Sequence, residues 1–194
     1  MINNMEEINF DKVAPFYKYR TEYSDNFVTE LSRYLKLNKN MTILDLACGT
    51  GQLTQLISRH VGKVIAIDKS SKMLTHAAQA KNIEYKQHDL SIKPFSTNSP
   101  VDSIFISRAI PYLPTDILKN TFETSLKPNG KIVVFSCYLD RNTKWVETIR
   151  AIRKSYIAHE SNLNFSGIEK MKKLNYKRKK CLNTPQIYIS NRIY

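Results

Sequence analysis

The sequence predicts an α/β fold: a doubly wound, mostly parallel, Rossmann-like sheet with helices on both faces and a shortened C-terminal part. Three observations carry this. Short apolar runs alternate with helix-patterned stretches, as in βαβ units. The runs are continuously apolar rather than alternating, as parallel strands buried on both faces require. The first run ends at a glycine-containing turn that opens a helix, and sheets of this class hold ligands outside their strand C-termini.

Each element follows from its own pattern. Residues 1–40 read as helical: Phe10, Val13, Phe16 and Tyr17 fall at helical spacing. A second helix from Ser24 aligns Phe27, Val28, Leu31, Tyr34 and Leu35 on one stripe. Met41–Leu46 is the first strand, and Gln52–Val61 is a helix with Leu53, Leu56, Ile57, His60 and Val61 on one face. Lys63–Asp68 is the second strand, and Ser70 N-caps a helix reaching Ala80. Ile83–Gln87 and Val101–Ser107 are the third and fourth strands. Thr115 caps a helix over Asp116–Leu126, Lys127-Pro-Asn-Gly130 is a turn, and Lys131–Cys137 is the fifth strand. Beyond it, Thr143–His159 reads as a helix with Trp145, Ile149, Ile152 and Tyr156 inward. Ile168–Leu174 reads as a short helix, and Tyr176–Leu182 and Gln186–Ile193 as two closing strands. The whole, 1–194, is expected to be one domain: a helical cap over 1–40, a ligand-binding core over 41–137 and a basic C-terminal part over 138–194.

Composition narrows the class. At 42% hydrophobic and 24% charged residues, the chain has the balance of a globular protein rather than a disordered one. No apolar run approaches the ~18 residues of a membrane span, so no membrane partner is expected. The start, Met1-Ile-Asn-Asn-Met-Glu-Glu, shows no basic and apolar leader pattern. Cys48, Cys137 and Cys181 are odd in number and far apart, and they form neither a disulfide framework nor a metal pair. A reducing, cytoplasmic compartment is expected. From Arg141 onward lie 13 of the 30 Lys/Arg but 3 of the 17 Asp/Glu, so +10 of the net +13 sits near the C-terminus. Such a segment can attract nucleic acid, although charges such as Lys170–Lys180 are more often a solvated face.

The chemistry concentrates in Ile43-Leu-Asp-Leu-Ala-Cys-Gly-Thr-Gly51. Glycine at 49 and 51 permits a tight turn and lets a ligand approach the backbone. Gln52-Leu53 follows where a phosphate-binding Walker loop needs Lys-Ser/Thr, and Thr54 stands where a dinucleotide fingerprint has its third glycine. Asp45 at the mouth of the loop suits a ligand with a cationic end rather than a phosphate. Asp68 closes the second strand, where a carboxylate can accept from a ribose diol. Asp89, after the third strand, can accept from an exocyclic amine. Three acids at three strand ends beside a glycine turn describe a pocket for a positively charged adenosine. Other residues have plainer readings: Cys48 as small-residue packing, His60 as a core or boundary histidine. No pair of the four histidines has metal-ligand spacing, so no metal is expected.

These residues resemble the class I S-adenosylmethionine-dependent methyltransferases, most closely the small-molecule, methyltransferase type 11-like group. Ile43–Gly51 is similar to the family's first motif, Val64–Asp68 with Ser70–Leu74 to the second, and His88-Asp89-Leu90 to the third. Val101–Leu113 is similar to the fourth, and Leu126–Ile132 to the Leu-Lys-Pro-Gly-Gly turn before strand five. Phe10–Ala14 with Tyr19-Arg20 and Tyr23 resembles the segment that folds over the methyl donor. The likeness covers residues 10–137.

The resemblance implies an enzyme that transfers a methyl group from S-adenosyl-L-methionine to a small-molecule acceptor by in-line displacement. It implies that Asp45 and the backbone of Ala47, Gly49, Thr50 and Gly51 hold the amino-acid end of the donor. It places Asp68 on the ribose, Met73 near adenine, Asp89 and Leu90 at the adenine edge, and Ser107 beside the transferred methyl. Tyr17, Arg20 and Lys69 are expected to contact the donor, and Arg108 and Tyr112 to face the acceptor; no catalytic base is named. The sequence departs from the family at Asn129, where glycine is usual and αL is tolerated by Asn, and at Arg20-Thr21, where Arg-Pro is usual. Many members continue beyond this length, so the chain is expected either to lack a full acceptor pocket or to borrow one from another subunit. Two alternatives stay open: a decayed binding module or partner subunit, and an RNA methyltransferase using the basic C-terminal segment.

Overall fold

The computed structural model describes residues 9–20, 22–135, 179–180 and 187–191. Five parallel strands form its frame: β1 (Thr42–Leu46), β2 (Lys63–Asp68), β3 (Ile83–Gln87), β4 (Val101–Ser107) and β5 (Leu126–Phe135). Two short strands, β6 (Lys179–Lys180) and β7 (Ile187–Asn191), complete the order β3-β2-β1-β4-β5-β7-β6. β7 runs antiparallel to both of its neighbours. The chain winds outward from β1 in one direction through β2 and β3, and in the other through β4 and β5. The switch point therefore falls between the C-terminal ends of β1 and β4, the place where doubly wound sheets leave a crevice.

The apolar runs fill two core layers by simple alternation. Leu44, Leu46, Ile65, Ile67, Ile104, Ile106, Ile132 and Val134 face one side. There they meet Leu118 and Phe122 of the helix Thr115–Ser125. Ile43, Val64, Phe105 and Val133 face the other side. These pack under Val28, Leu31 and Leu35 of the helix Asp25–Leu35 and Leu53 and Ile57 of the helix Gln52–Ser58. In chain order these helices are α2 (Asp25–Leu35), α3 (Gln52–Ser58) and α5 (Thr115–Ser125); α1 is Phe10–Val13 and α4 is Ser71–Thr75. Helices on both faces explain why the strands read as unbroken apolar runs. No described helix is long and apolar enough to cross a membrane.

The structure corrects several boundaries. The N-terminal helix is short: α1 gives way to a 3₁₀ turn at Ala14–Tyr19, with Pro15 near its start, and Arg20 is extended. Its expected apolar stripe is not a core stripe, since Val13 and Phe16 are 37% and 66% exposed. α3 stops at Ser58 and α4 at Thr75, each earlier than its apolar pattern, because the residues that follow leave helical geometry to reach the next strand. Ser70 is the N-cap expected, accepting from the Met73 N–H at 3.0 Å. α5 begins at Thr115 itself, with Pro114 in the cap position. The expected turn at 127–130 lies inside β5. There the pairing with β4 jumps from Val101↔Leu126 to Ser103↔Lys131, an irregularity that absorbs the extra residues. Neither Asn129 nor Gly130 has positive φ, so Asn129 needs no left-handed tolerance. The two closing strands appear as β6 and β7 within their expected spans. The helices expected at Thr143–His159 and Ile168–Leu174, and residues 1–8 of the helical cap, lie outside the described residues.

Phe122 is fully buried between α5 and the sheet. Phe122→Ala is expected to lower the unfolding free energy by about 3–5 kcal/mol in urea denaturation. Ile92→Ala, at a 75% exposed position, should change it by less than about 0.5 kcal/mol.

Candidate functional site

The chain leaves β1 at Leu46 and must reverse into α3 within five residues. It does so through three left-handed positions: Ala47 (φ 54°), Gly49 (φ 58°) and Gly51 (φ 69°). Glycine carries this conformation without the Cβ penalty, whereas Ala47 holds it under strain. Gly51 has a second reason to be glycine: a Cβ there would stand 2.3 Å from the Tyr85 hydroxyl oxygen. The Gly51 N–H closes the turn onto the Cys48 carbonyl at 3.0 Å, and the Cys48 N–H reaches the Ile67 carbonyl of β2 at 3.0 Å.

Two buried carboxyls anchor this loop. Asp68, at the end of β2 and 8% exposed, accepts from the Gly49 N–H at 2.7 Å with one oxygen. Its other oxygen accepts from the Ser70 N–H at 2.9 Å. Burial pushes its pKa above the usual carboxylate range, while those N–H groups and Lys69 pull the other way. Asp45, at 1% exposure, accepts from the Thr54 hydroxyl at 2.6 Å through Oδ2, and its Oδ1 has no hydrogen-bond partner. Burial raises the Asp45 pKa to about 7; the Thr54 hydroxyl opposes this and the Asp68 carboxylate reinforces it.

The N-terminal segment straps across these strand ends. The Asp11 carboxylate accepts from the Ser70 hydroxyl. Phe10 meets Tyr112 edge-on at 5.6 Å, and Lys69 lies 6.0 Å from the centre of the same Phe10 ring. The Tyr17 ring covers Gly49, 3.5 Å from where a Cβ would stand. Arg20 donates to the Tyr17 hydroxyl at 2.6 Å and lies 5.0 Å from its ring centre. Tyr23 is hydrogen-bonded through its hydroxyl to Ser107 at the end of β4. Arg108 follows Ser107 with φ 56° and stacks 4.5 Å from the Tyr23 ring centre.

Between strap and loop lies an open cleft, at the switch point. It brings together the expected residues Tyr17, Arg20, Asp45, Ala47, Thr50, Ser107 and Arg108. Gly49 and Gly51 form the backbone beneath it. Asp68, Lys69, Met73, Asp89 and Leu90 are not in its wall; they follow along the ends of β2 and β3. Met73 and Leu90 are buried in the core, at 1% and 3% exposure. Asp89 spends one oxygen on Ser91, accepting from its N–H at 2.8 Å and from its hydroxyl at 2.5 Å. Burial pushes the Asp89 pKa up, but these bonds outweigh it and leave the carboxyl below its ordinary value. Tyr112 is 48% exposed, on the rim by Phe10.

The cleft also holds Cys48, Gln52 and Leu53, which sequence reasoning did not assign to the site, and Tyr23, which it placed only in the segment resembling the one that folds over the donor. Gln52 and Leu53 open α3 directly after the glycine turn, so their position was the available signal. Tyr23 is three residues beyond Arg20, and only the strap's path brings it to β4. The Cys48 thiol is pushed well up by burial, so it is a packing group. His88 binds the Lys93 carbonyl at 3.1 Å and meets Phe95 edge-on, outside the cleft wall. Among the described residues no cluster of His, Cys, Asp and Glu could hold a metal ion. The arrangement can bind a group that is cationic at one end, at Asp45, beside guanidinium groups at the other. No lining group is a ready proton acceptor at neutral pH other than Asp45 itself.

Comparison with known proteins agrees with this geometry. Residues 43–130 match a family model described as a methyltransferase domain. The chain is 30% identical to the demethylmenaquinone methyltransferase of Lactobacillus johnsonii over 140 residues, 63% of this chain and 57% of that protein. It is 30% identical to the trans-aconitate 2-methyltransferase of an Azoarcus species over 109 residues, 54% of this chain and 42% of the relative. The chain thus spans about half the length of the curated relatives it matches. Among solved structures, the DhpI-SAM-HEP complex superposes with a TM-score of 0.63 at 18% identity, over 95% of this chain and 94% of that one. That likeness shows the fold.

Asp45 makes stability pH-dependent with a definite sign. Its folded pKa, about 7, lies above its ordinary value, so the folded chain holds the proton more tightly than the unfolded one. The stabilisation from that proton is present at low pH and is lost as pH rises through about 7. Asp45→Asn should therefore raise the melting temperature at pH 8, and the gain over the wild type should shrink at pH 5. Calorimetric scans at the two pH values check this.

Proposed function

We propose that this chain, whose residues 43–130 match a family model described as a methyltransferase domain, is an S-adenosylmethionine-dependent methyltransferase acting on a small-molecule acceptor. One observation carries the reading: the buried Asp45 oxygen without a partner, in the wall of a cleft at the sheet's switch point. A buried carboxylate without a partner is costly, and a cationic group seated in the cleft would satisfy it. Below it the left-handed turn exposes backbone where a larger loop could not approach. The residues present fit a donor that combines a sulfonium and an ammonium with an adenosine. The names of the matched relatives support a small-molecule acceptor.

Roles follow from position. Asp45 would hold the cationic end of the donor, with the backbone from Ala47 to Gly51 around it. Asp68 would accept from ribose hydroxyls with the lone pairs its two backbone N–H bonds leave. Lys69 and Met73 lie on that side, with Asp89 and Leu90 at the end of the next strand for the adenine edge. Tyr17 and Arg20 would close over the donor from the strap. Ser107, fixed by Tyr23, would stand beside the methyl, with Arg108 and Tyr112 toward the acceptor. When bound, S-adenosylmethionine supplies an activated methyl that passes to an acceptor lone pair as its carbon–sulfur bond breaks onto sulfur. The chain's part is orientation and exclusion of water by the strap, worth roughly 7–11 kcal/mol where alignment is good. An acceptor that carries no proton on the attacking atom needs no base, in keeping with a cleft whose one ready proton acceptor, Asp45, would be occupied by the donor's cationic end. A cytoplasmic location belongs to the same reading.

The experiment is calorimetric titration with S-adenosylhomocysteine, together with transfer of labelled methyl to a metabolite extract. Wild-type protein should bind the product, and Asp68→Ala should weaken binding at least tenfold. Loss of the mutated carboxylate removes both ribose contacts and the tie to Gly49. No binding by folded wild-type protein would refute the donor assignment. Binding without transfer to any acceptor would favour a binding module.

A further inference from the structure

Thr54 stands where a dinucleotide-binding loop has its third glycine, the residue that lets helix and strand pack closely. It is the third residue of α3 and is fully buried. Elsewhere in the described helices, the hydroxyls of Ser58, Thr75, Thr121 and Thr124 each donate to a backbone carbonyl three or four residues earlier in their own helix. That is the ordinary course for a hydroxyl on a helix. The Thr54 hydroxyl instead leaves its helix and donates across to Oδ2 of Asp45 in β1, at 2.6 Å. Its branched Cβ leaves few rotamers, so the buried side chain holds the hydroxyl in one direction. The Tyr85 phenol of β3 neighbours the same hydroxyl but gives its own proton to the Ala78 carbonyl at 2.9 Å. A hydroxyl has one proton, and a carboxylate is a stronger acceptor than a phenol, so the Thr54 proton goes to Asp45.

Thr54 is not in the cleft wall, whereas its neighbours Gln52 and Leu53 are. It can therefore act on a ligand only through Asp45. With Oδ2 engaged by Thr54, Oδ1 is the carboxyl oxygen without a partner. We propose that Thr54 is a positioning residue: its hydroxyl clasps Oδ2 of Asp45 and leaves Oδ1 for the cationic end of the donor. This rests on the methyltransferase reading, and it adds to that site a residue that does not touch the donor. A hydroxyl that donates to a carboxyl also favours its ionised form, the form a cation needs. This bond opposes the burial that raises the Asp45 pKa to about 7. The other titratable groups around Asp45 are Asp68 at the end of β2, Cys48 in the turn and Tyr85 in β3. Tyr17, Arg20 and Arg108 line the cleft with it. Substitution at position 54 keeps all of these side chains, so a change in Asp45 titration reads against a constant set of neighbours.

The test is calorimetric titration of the full chain with S-adenosylhomocysteine across the range from about pH 5 to about pH 8. Wild-type affinity should rise with pH and level off above the Asp45 pKa of about 7. Thr54→Val keeps the shape of the side chain and loses the hydroxyl. It should bind at least about tenfold more weakly at neutral pH, and its affinity should still be rising at the top of the range. Thr54→Ser and Thr54→Ala both lose the methyl and differ in the hydroxyl alone, so they repeat the comparison if Thr54→Val does not fold. Thr54→Ser should keep the wild-type profile, and Thr54→Ala should follow Thr54→Val. A cooperative melting transition certifies the fold of each variant. Weaker binding with a profile that levels off where the wild type does is what packing alone would give, and it overturns the proposal. Equal weakening by Thr54→Ser and Thr54→Ala, or unchanged binding in Thr54→Val, overturns it too. Absence of S-adenosylhomocysteine binding by folded wild-type protein would instead sink the underlying methyltransferase reading, so the two failures are distinguishable.

Discussion

The site depends on the carboxylate of Asp68. It ends β2, yet its oxygens are spent on the backbone N–H groups of Gly49 and Ser70. Those groups belong to the loop after β1 and to the cap of α4. One side chain therefore holds two strand-to-helix turns in fixed relation, and hydrogen bonds to a charged acceptor are among the stronger ones. The Asp11–Ser70 contact extends the tie to the N-terminal strap. Loop, cap and strap meet at one carboxyl, and the cleft is the space they leave.

Asp45 shows the other side of the same economy. Asp68 is buried and bonded on both oxygens; Asp45 is buried and bonded on one. The second state is unfavourable for an anion in low dielectric, which is why its pKa climbs to about 7. Without a cation the fold tolerates the group by letting it hold a proton. The site is thus kept ready at some expense of stability, a pattern common where a polar group awaits a ligand. The strap answers a related need, since its aromatic rings hold both cleft arginines in place.

Much of this was legible in the sequence, and the reasons are local. Buried parallel strands give continuous apolar runs, so β1, β2, β3 and β4 were readable to within a residue or two. The glycine turn and the acids at the ends of β1 and β2 stood out because few residue types satisfy left-handed backbone or a strand-end carboxylate. What was not legible depends on partners distant in the chain. The irregularity in β5 is set by pairing with β4, so Lys127–Gly130 read as a turn. The strap's course is fixed by contacts of Phe10, Tyr17 and Tyr23 with Tyr112, Gly49 and Ser107. Helical spacing alone therefore suggested a core stripe where Phe16 is in fact exposed. Asp68 stood out as a strand-end acid, but not as the tie between two loops, because that role needs two backbone groups it approaches only on folding.

In the proposed reaction a buried, protonated Asp45 ionises to meet the cationic end of the donor. The proton released on binding is then the quantity to measure. S-adenosylmethionine would be titrated into the protein at pH 6 in two buffers of different ionisation enthalpy, with Asp45→Asn alongside. The observed enthalpy should differ between buffers for the wild type, corresponding to net proton release, and should not differ for the variant. Donor binding with the same enthalpy in both buffers, or unchanged affinity in Asp45→Asn, would contradict it.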